Sequence, residues 1–277
     1  MPRKPKLGQH FLTSTSARQR IVDALGDISG CTVVEIGPGR GAITDLLAPH
    51  AKRLIAIELD RELAPALTEY YAASANVQVL HADILAIKLA ELHDSEDSGG
   101  LVLVGNLPYY ITSDILLWLF AQADDYSRAV LMMQEEVADR ITASPGGSEY
   151  GVLSATTQLH AHAEKLFRLP PGAFSPPPKV DSAVVRLHPK LRFADLGVER
   201  QPFLDFLRSC FQQKRKTLSN NLRVAGHPPA QIAVAMRAAA LESSIRAEAV
   251  SLDAMARLFR ALAPVIPPTQ NKNARGD

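Results

Sequence analysis

The stretch TVVEIGPGRG, residues 32–41, joins a short apolar run to a turn that contains three glycines. The run is short and partly β-branched, which favours a buried strand over a helix. Glycines at alternate positions permit a tight turn and let a ligand approach the backbone closely. The spacing differs from the G-x-G-x-x-G of dinucleotide-binding proteins, so we expect no pyrophosphate here. Taken alone, the stretch leaves a plain structural turn as the alternative.

Similar apolar runs recur along the chain. Four of them predict further strands: Arg53–Leu59, Val77–Ala82, Leu101–Val104 and Ala129–Met133. Stretches of 16 or more residues with helical spacing lie between the first four strands. This alternation is typical of βαβ units on a parallel sheet. Two later runs, Ala163–Leu169 and Ser182–His188, are joined by a proline-rich segment too short for a crossover helix. They predict an antiparallel pair at the edge of the sheet.

After Pro189 the strand patterns stop. Three segments show helical spacing instead: Phe203–Phe211, Pro229–Ala240 and Leu252–Leu262. We therefore predict a first domain over residues 1–190, a small all-helical domain over 199–265 and a disordered polar tail over 266–277.

Charge is distributed unevenly between these parts. From Glu199 onward there are 12 basic and 6 acidic residues, against 18 and 23 before it, although the net charge of the chain is +1. A basic C-terminal part on an acidic body suggests a polyanion as partner for that part. A solvated helix surface is the alternative interpretation.

The bulk composition limits the class of protein. With 277 residues, 47% of them hydrophobic, the chain can build a sizeable core. Two cysteines exclude a disulfide framework and a Cys-rich zinc site, and the eight histidines are scattered, so we expect no metal site. The basic N-terminus lacks the apolar segment of a signal peptide, and no run reaches membrane-spanning length. These features predict a soluble cytoplasmic protein.

Polar residues follow the ends of the predicted strands. Glu58 ends the second strand, about 20 residues past the glycines, where an acidic side chain can accept hydrogen bonds from ribose hydroxyls. Asp83 ends the third strand, and Asn106 follows the fourth. Ligands of open parallel sheets lie beyond the carboxyl ends of the strands. We therefore expect Gly37 and these three residues to face one crevice that binds a nucleoside-type cofactor. Individually, each acid could instead be a solvated turn residue.

Several motifs resemble those of one enzyme family. E-I-G-P-G at 35–39, I-E-L-D at 57–60, the Asp after the third strand and N-L-P-Y at 106–109 resemble S-adenosylmethionine-dependent methyltransferases that act on adenine amines. L-G-Q-H-F-L at 7–12, F-S-P-P-P-K-V-D-S at 174–182 and F-Q-Q-K-R-K-T at 211–217 are similar to further motifs of the ribosomal RNA adenine dimethyltransferases. The resemblance covers about residues 7–262 and implies the Rossmann-like sheet of class I methyltransferases with a small helical C-terminal domain.

The resemblance implies three sets of site residues. The cofactor set is His10, Leu12, Gly37, Glu58, Asp83 and Asn106. The catalytic set is Asn106, Leu107, Pro108, Tyr109 and Phe174, and the RNA-binding set is Lys214, Arg215 and Lys216. His10 departs from the family, which often has Asn there, so it contributes either a ring nitrogen or a backbone contact.

The N-L-P-Y stretch suits transfer to an adenine amine, whose lone pair is delocalised into the ring. Two acceptors against its N–H groups favour the tetrahedral geometry of the transition state. The Asn106 side-chain carbonyl and the Leu107 carbonyl, held by the ring of Pro108, are the candidates. Tyr109 offers a stacking face to a flipped base, and the family suggests Phe174 as a second wall. Tyr110 is expected to pack. The alternative for the whole stretch is a turn at a sheet edge.

N-L-P-Y and P-P-K-V-D-S-A-V-V resemble the housekeeping branch of the family. That branch implies N6-dimethylation of two adjacent adenines near the 3′ end of small-subunit (16S) ribosomal RNA, within an assembling subunit and by a monomer. The alternatives are a large-subunit (23S) resistance methyltransferase, a non-catalytic ribosome-assembly factor and a nicotinamide-dependent oxidoreductase. The absence of G-x-G-x-x-G argues against the last of these.

Overall fold

A computed structural model describes residues 10–92 and 98–262. The chain divides into two compact units. The first contains residues up to Ser144 together with Leu153–Arg192, and the second contains Pro145–Val152 and the residues from Phe193 onward. The sequence analysis did not foresee that residues 145–152 would join the second unit. Residues 7–9 of the N-terminal motif and the predicted tail at 266–277 lie outside the described residues.

The first unit is built on a seven-stranded sheet with the order β4-β3-β2-β5-β6-β9-β7. Its strands are β2 (Thr32–Ile36), β3 (Arg53–Glu58), β4 (Val77–His81), β5 (Leu101–Asn106), β6 (Arg128–Gln134), β7 (Ala161–Leu169) and β9 (Ser182–Pro189). Neighbouring strands among β2 to β6 are parallel, whereas β9 is antiparallel to both β6 and β7. The predicted parallel sheet with an antiparallel edge pair is confirmed. A separate antiparallel pair joins β1 (Phe11–Leu12) to β8 (Phe174–Ser175).

Six helices belong to or lead into the first unit: α1 (Thr15–Leu25), α2 (Thr44–Leu47), α3 (Leu63–Tyr70), α4 (Thr112–Ala121), α5 (Glu135–Thr142) and α6 (Val152–His160). The predicted helix between β4 and β5 is wrong for the described residues, which form two 3₁₀ turns there, Ile84–Ala86 and Leu89–Glu91. The Asp83 carboxylate accepts the Leu85 N–H and starts the first turn. Ile84 and Leu89 are both buried, and a straight α-helix would place residues five apart on different faces.

The central strands β2, β3, β5 and β6 are buried along most of their length because the middle of the sheet is covered on both faces. On β2, Val33 belongs to one core cluster and Val34 to the other, and both are fully buried. On β5, Val102 and Leu103 divide in the same way. Polar groups therefore concentrate at the strand ends. None of the helices in the described part of the chain is long and apolar enough to cross a membrane.

The second unit is helical in its described residues, which contain no strand. Its helices are α7 (Phe193–Leu196), α8 (Arg200–Cys210), α9 (Leu218–Val224), α10 (Pro229–Ala238) and α11 (Leu252–Leu262). Phe203, Phe206 and Phe259 form an aromatic cluster with ring centroids 5.3–6.0 Å apart. This cluster ties α8 to α11.

The basic segment Lys214–Lys216 lies in an exposed connection between α8 and α9 and not on a helix. The buried Asn221 ends the helical hydrogen-bonding pattern, because its side-chain oxygen accepts the Gln213 N–H at 3.0 Å. Thr217 then caps α9 by accepting the Asn220 N–H. All three basic side chains consequently face solvent within this unit.

Candidate active site

The carboxyl ends of β2, β3 and β5 border a cavity of about 480 Å³. Its lining includes the four residues predicted to face one crevice, Gly37, Glu58, Asp83 and Asn106. It also includes His10, Leu12, Leu107, Pro108 and Tyr109 from the predicted sets. The structure therefore brings together all the predicted cofactor residues and all the predicted catalytic residues except Phe174.

Two glycines shape the floor of the cavity. Gly37 has a φ of +66°, which disfavours any residue with a Cβ atom, and its N–H donates to the Ile57 carbonyl at 2.9 Å. Gly105 has an ordinary φ, but a Cβ there would lie 2.7 Å from the carbonyl oxygen of Ile36. Gly105 therefore permits the close approach of β2 and β5. The sequence analysis missed this role, although a glycine inside a strand pattern is a signal for close backbone approach.

Glu58 is buried, and the backbone orients its carboxylate. One carboxylate oxygen accepts the Gly39 N–H at 2.9 Å and the other accepts the Asp60 N–H at 2.8 Å. Burial raises the pKa of Glu58 and these N–H donors oppose the rise. A carboxylate has about four acceptor positions, so each oxygen can accept a further hydrogen bond from a ligand hydroxyl.

The Asn106 amide is oriented by the backbone of His10. Its Nδ2 donates to the His10 carbonyl oxygen at 2.9 Å. A carbonyl can only accept, so the amide must turn its NH₂ group toward His10, which leaves Oδ1 as the acceptor for other partners. The His10 ring nitrogen Nδ1 lies 2.8 Å from the Pro176 carbonyl. In this structure His10 therefore acts on Asn106 through its backbone and on Pro176 through its ring.

The Leu107–Pro108 backbone is held firmly. The Leu107 N–H donates to the Met132 carbonyl at 2.9 Å, which extends the β5–β6 pairing past Asn106. The Pro108 carbonyl accepts both the Ile111 N–H at 3.2 Å and the Thr112 hydroxyl at 3.0 Å. With the Pro108 carbonyl engaged, the Leu107 carbonyl is the better candidate for a hydrogen bond from a ligand.

The two tyrosines of the stretch differ in their surroundings. The half-buried Tyr109 lines the cavity, and its hydroxyl lies 2.6 Å from Ser182 Oγ. Tyr110 is 58% exposed at the margin of the same cavity, so the expectation that it packs is wrong. Both belong to one 3₁₀ turn, in which successive side chains point about 120° apart. One ring therefore faces the cavity and the next faces solvent.

Phe174 is placed differently from the prediction. Its side chain is only 4% exposed, belongs to a core cluster with Leu12 and does not line the cavity. The reason is the β1–β8 pair, which sets Phe174 opposite Leu12 and directs both toward the core. Ser175 and Pro176 line the cavity instead. A second wall formed by the Phe174 ring is not seen in this structure.

Glu35 is a buried carboxyl that the sequence analysis did not single out. It is 2% exposed, and its Oε2 accepts the Thr44 hydroxyl at 2.6 Å. Burial raises the pKa of Glu35 to about 7, with smaller contributions from Glu58 and Asp45. Its only sequence signal was the acidic residue inside an otherwise apolar strand.

This pKa predicts a pH-dependent stability. The raised folded-state pKa means that the unfolded chain loses the proton first, so stability is present at low pH and is lost as pH rises from 4.5, the ordinary value, to about 7. The side chain of Glu35→Gln stays neutral at every pH. The free energy of unfolding of this variant relative to wild type should therefore rise by about 2 kcal/mol from pH 5 to pH 8. Urea unfolding of both proteins across this range measures the difference. A constant difference would show that Glu35 is ionised throughout.

The arrangement defines a class of protein. A parallel sheet with an antiparallel edge pair, a glycine turn after its first strand and a buried acid after the second are the features of class I methyltransferases. Among residues 10–92 and 98–262, no group of three or more His, Cys, Asp and Glu side chains is placed to hold a metal ion.

Comparison with known proteins identifies the family. A family model described as Ribosomal RNA adenine dimethylase matches residues 2–263. The Ribosomal RNA small subunit methyltransferase A of Acidobacterium capsulatum is 56% identical over 259 residues, which make up 94% of this chain and 91% of that protein. The protein of the same name from Koribacter versatilis is 53% identical over 270 residues, 94% of each chain. The chain belongs to the ribosomal RNA adenine dimethylase family and is therefore a methyltransferase.

Solved structures of similar proteins agree with this family assignment. A dimethyladenosine transferase from Plasmodium falciparum has a TM-score of 0.76 at 26% identity, with 90% of this chain and 96% of that chain covered. The 23S rRNA methyltransferase ErmE has a TM-score of 0.69 at 25% identity, with 91% and 99% covered. The likeness extends over most of the chain, and the nicotinamide-dependent oxidoreductase alternative is set aside.

Proposed function

We propose that the chain transfers methyl groups from S-adenosylmethionine to the N6 amines of two adjacent adenines near the 3′ end of small-subunit ribosomal RNA. The substrate is an assembling small subunit in the cytoplasm, and the enzyme acts as a monomer. One observation carries the proposal: the Asn106 amide, with its acceptor oxygen directed away from His10, lies in the same cavity as Glu58 and the ring of Tyr109.

The residues around the cavity fit S-adenosylmethionine. Glu58 offers a fixed carboxylate to the ribose hydroxyls, and Asp83 is an exposed acid at the end of the neighbouring strand. Gly37 leaves the floor open, because the nearest atom to a Cβ placed there lies 3.9 Å away. The cofactor supplies a methyl group on a sulfonium, a good leaving group, so the protein needs no strong base.

The protein's own task is to hold the amine in a reactive geometry. The Asn106 Oδ1 and the Leu107 carbonyl accept the two N–H groups of the adenine, which directs the nitrogen lone pair toward the methyl donor. Before the base arrives, the Asn106 amide is held by its bond to His10, and the bond of the Leu107 N–H to Met132 holds the backbone next to the Leu107 carbonyl. The Tyr109 ring stacks on the base, which is worth about 1–3 kcal/mol.

The choice of the small subunit rests on the relatives. Two relatives named for the small subunit are 56% and 53% identical, whereas the 23S rRNA methyltransferase ErmE is 25% identical. A large-subunit enzyme is the remaining alternative, because a non-catalytic assembly factor is set aside by membership of a methyltransferase family. The intact Asn106–Tyr109 stretch favours a catalyst over a non-catalytic factor.

Incubation with labelled S-adenosylmethionine tests the proposal. Unmethylated small subunits, unmethylated large subunits and naked small-subunit RNA are the substrates, and the labelled bases are mapped. We expect two adjacent dimethyladenines near the 3′ end of the small-subunit RNA. Label in the large subunit would favour the resistance-type alternative, and no label in any substrate would overturn the proposed substrate.

We also propose that Lys214, Arg215 and Lys216 contact phosphates of the RNA. All three are exposed in the connection between α8 and α9. Each phosphate contact releases counterions and adds up to about 0.7–0.9 to the slope of log affinity against log salt. Replacing the three with alanine should weaken RNA binding and flatten that slope, with S-adenosylmethionine affinity unchanged because the cofactor cavity lies in the first unit.

The measurement is the affinity for the RNA particle across a salt series. A second triple alanine variant, at Arg237, Arg246 and Arg257, removes the same charge from other exposed positions of the second unit and is the matched control. Equal effects of the two variants would assign the loss to net charge alone. Parallel lines of equal affinity for wild type and the 214–216 variant would place this segment on the solvated surface.

A further inference from the structure

The hydroxyl of Tyr109 is engaged within the protein. Its Oη lies 2.6 Å from the Oγ of Ser182, a residue 73 positions away that is fully buried. The Tyr109 ring lines the cavity, and Ser182 does not. The hydroxyl therefore points into the protein while the ring remains available to a ligand, so Tyr109 contributes its face and not its phenol group to the site.

Ser182 lies at a rigid place in the sheet. It is the first residue of β9, where it pairs with Gln134 of β6 on one side and Leu169 of β7 on the other. The preceding carbonyl, of Asp181, accepts the Glu135 N–H at 3.0 Å.

Ion pairs reinforce the same corner of the sheet. Arg168 contacts the carboxylate of Asp181, and its Nε lies 2.9 Å from Glu135. Two strands, the start of a helix and an ion-pair network therefore hold the backbone next to Ser182.

The backbone that carries Tyr109 is a single 3₁₀ turn, Tyr109–Ile111, which leads directly into α4 and has no side-chain cap. A tyrosine ring is set by two side-chain torsions. The hydroxyl oxygen lies on the axis of the second torsion, so a hydrogen bond from it to a fixed point restricts the first torsion and thereby the position of the ring. The bond to Ser182 connects the ring to the rigid corner across the end of β5.

We propose that Ser182 is a positioning residue for methyl transfer: it fixes the position of the Tyr109 ring and thereby the position of the target adenine. This inference rests on the proposed function. A base stacked on a displaced ring would present its amine away from Asn106 and Leu107, and small misplacements of a reacting group lower rates steeply. Removing the hydrogen bond should lower kcat/KM for the RNA particle about tenfold.

The experiment is a double-mutant cycle of Ser182→Ala and Tyr109→Phe. Both substitutions delete one hydroxyl, and Tyr109→Phe keeps the stacking face. Each single variant should lose about tenfold in kcat/KM with S-adenosylmethionine affinity unchanged, and the double variant should be no worse than either. A multiplicative loss in the double variant, or wild-type rates in either single variant, would overturn the proposal.

Thr157→Val is the matched control, because it deletes a buried hydroxyl that bonds to the Leu153 carbonyl within α6. It should leave kcat/KM at the wild-type value, and a tenfold loss there would mean that any buried hydroxyl has this effect. Unfolding of Ser182→Ala in urea shows whether the variant is folded. If Ser182→Ala does not fold, the kcat/KM of Tyr109→Phe alone tests the proposal, because substitution of the half-buried Tyr109 disturbs the fold less.

A second measurement separates this proposal from the proposed function. With 3-fluorotyrosine placed at position 109, ¹⁹F spectra report the surroundings of the ring in the protein without RNA. Ser182→Ala should shift and broaden the ¹⁹F signal, because the ring is no longer held at one position, whether or not the wild type methylates small-subunit RNA. An unchanged spectrum would overturn the tether, whereas absence of methylation by the wild type counts against the proposed function only.

Discussion

Replacing Asn106 with alanine is expected to lower the rate of methyl transfer by about 10²–10³-fold, the loss typical of removing one preorganised hydrogen-bonding group at a reacting centre. The Asn106 amide is already oriented by its 2.9 Å bond to the His10 carbonyl, so its acceptor needs no reorganisation when charge develops on the amine. An acceptor that matters most in the transition state contributes to rate more than to binding. S-adenosylmethionine affinity should therefore fall by less than about tenfold.

Single-turnover kinetics with saturating cofactor measure the rate, and calorimetry measures cofactor affinity. Asn76→Ala is the matched control. Its Nδ2 donates to the carbonyls of Ala48 and Ala51 at 2.8 and 2.9 Å, and Asn76 does not line the cavity. The control should keep both quantities near wild type. Methyl transfer by Asn106→Ala at the wild-type rate would contradict the role given to Asn106.

Glu58→Ala should weaken S-adenosylmethionine binding by roughly 10- to 150-fold, equivalent to about 1.5–3 kcal/mol for a hydrogen-bonded charged acceptor. The carboxylate has two functions in this structure. It is the candidate acceptor for the ribose hydroxyls, and it holds the Gly39 and Asp60 N–H groups at 2.9 and 2.8 Å. The alanine variant loses both functions, whereas Asp83→Ala should lose affinity in the same range without releasing the glycine turn.

Glu58→Gln separates the two functions. Its amide keeps one acceptor oxygen but turns an NH₂ group toward the other backbone donor, so its loss of affinity should be intermediate. Glu69→Ala, at an exposed glutamate on α3 outside the cavity lining, is the control. Titration calorimetry at fixed pH and salt measures all four variants. Unchanged affinity in Glu58→Ala with the fold intact would remove Glu58 from the cofactor site.

The positions of the central strands were predictable because burial on both faces leaves a continuous apolar signal. β2, for example, covers Thr32–Ile36, the apolar run before the glycine turn. The region after β4 was predictable only in part. Its apolar residues suggested a helix, but the Asp83 side chain starts a 3₁₀ turn instead, and Ile84 and Leu89 are buried five positions apart. Periodicity over so short a segment does not distinguish these two backbones.

By itself the sequence determined the class of sheet and the residues at its carboxyl edge, Gly37, Glu58, Asp83 and Asn106. These predictions follow from local patterns, because the carboxyl ends of parallel strands meet at one edge of the sheet, whatever the order of the strands in it. Only the tertiary structure decided how the side chains are used there. Asn106 is oriented by a carbonyl 96 residues away and Tyr109 by a hydroxyl 73 residues away, while β1 turns Phe174 into the core. Such partners depend on which segments pair in space, and no local pattern of residues encodes that pairing.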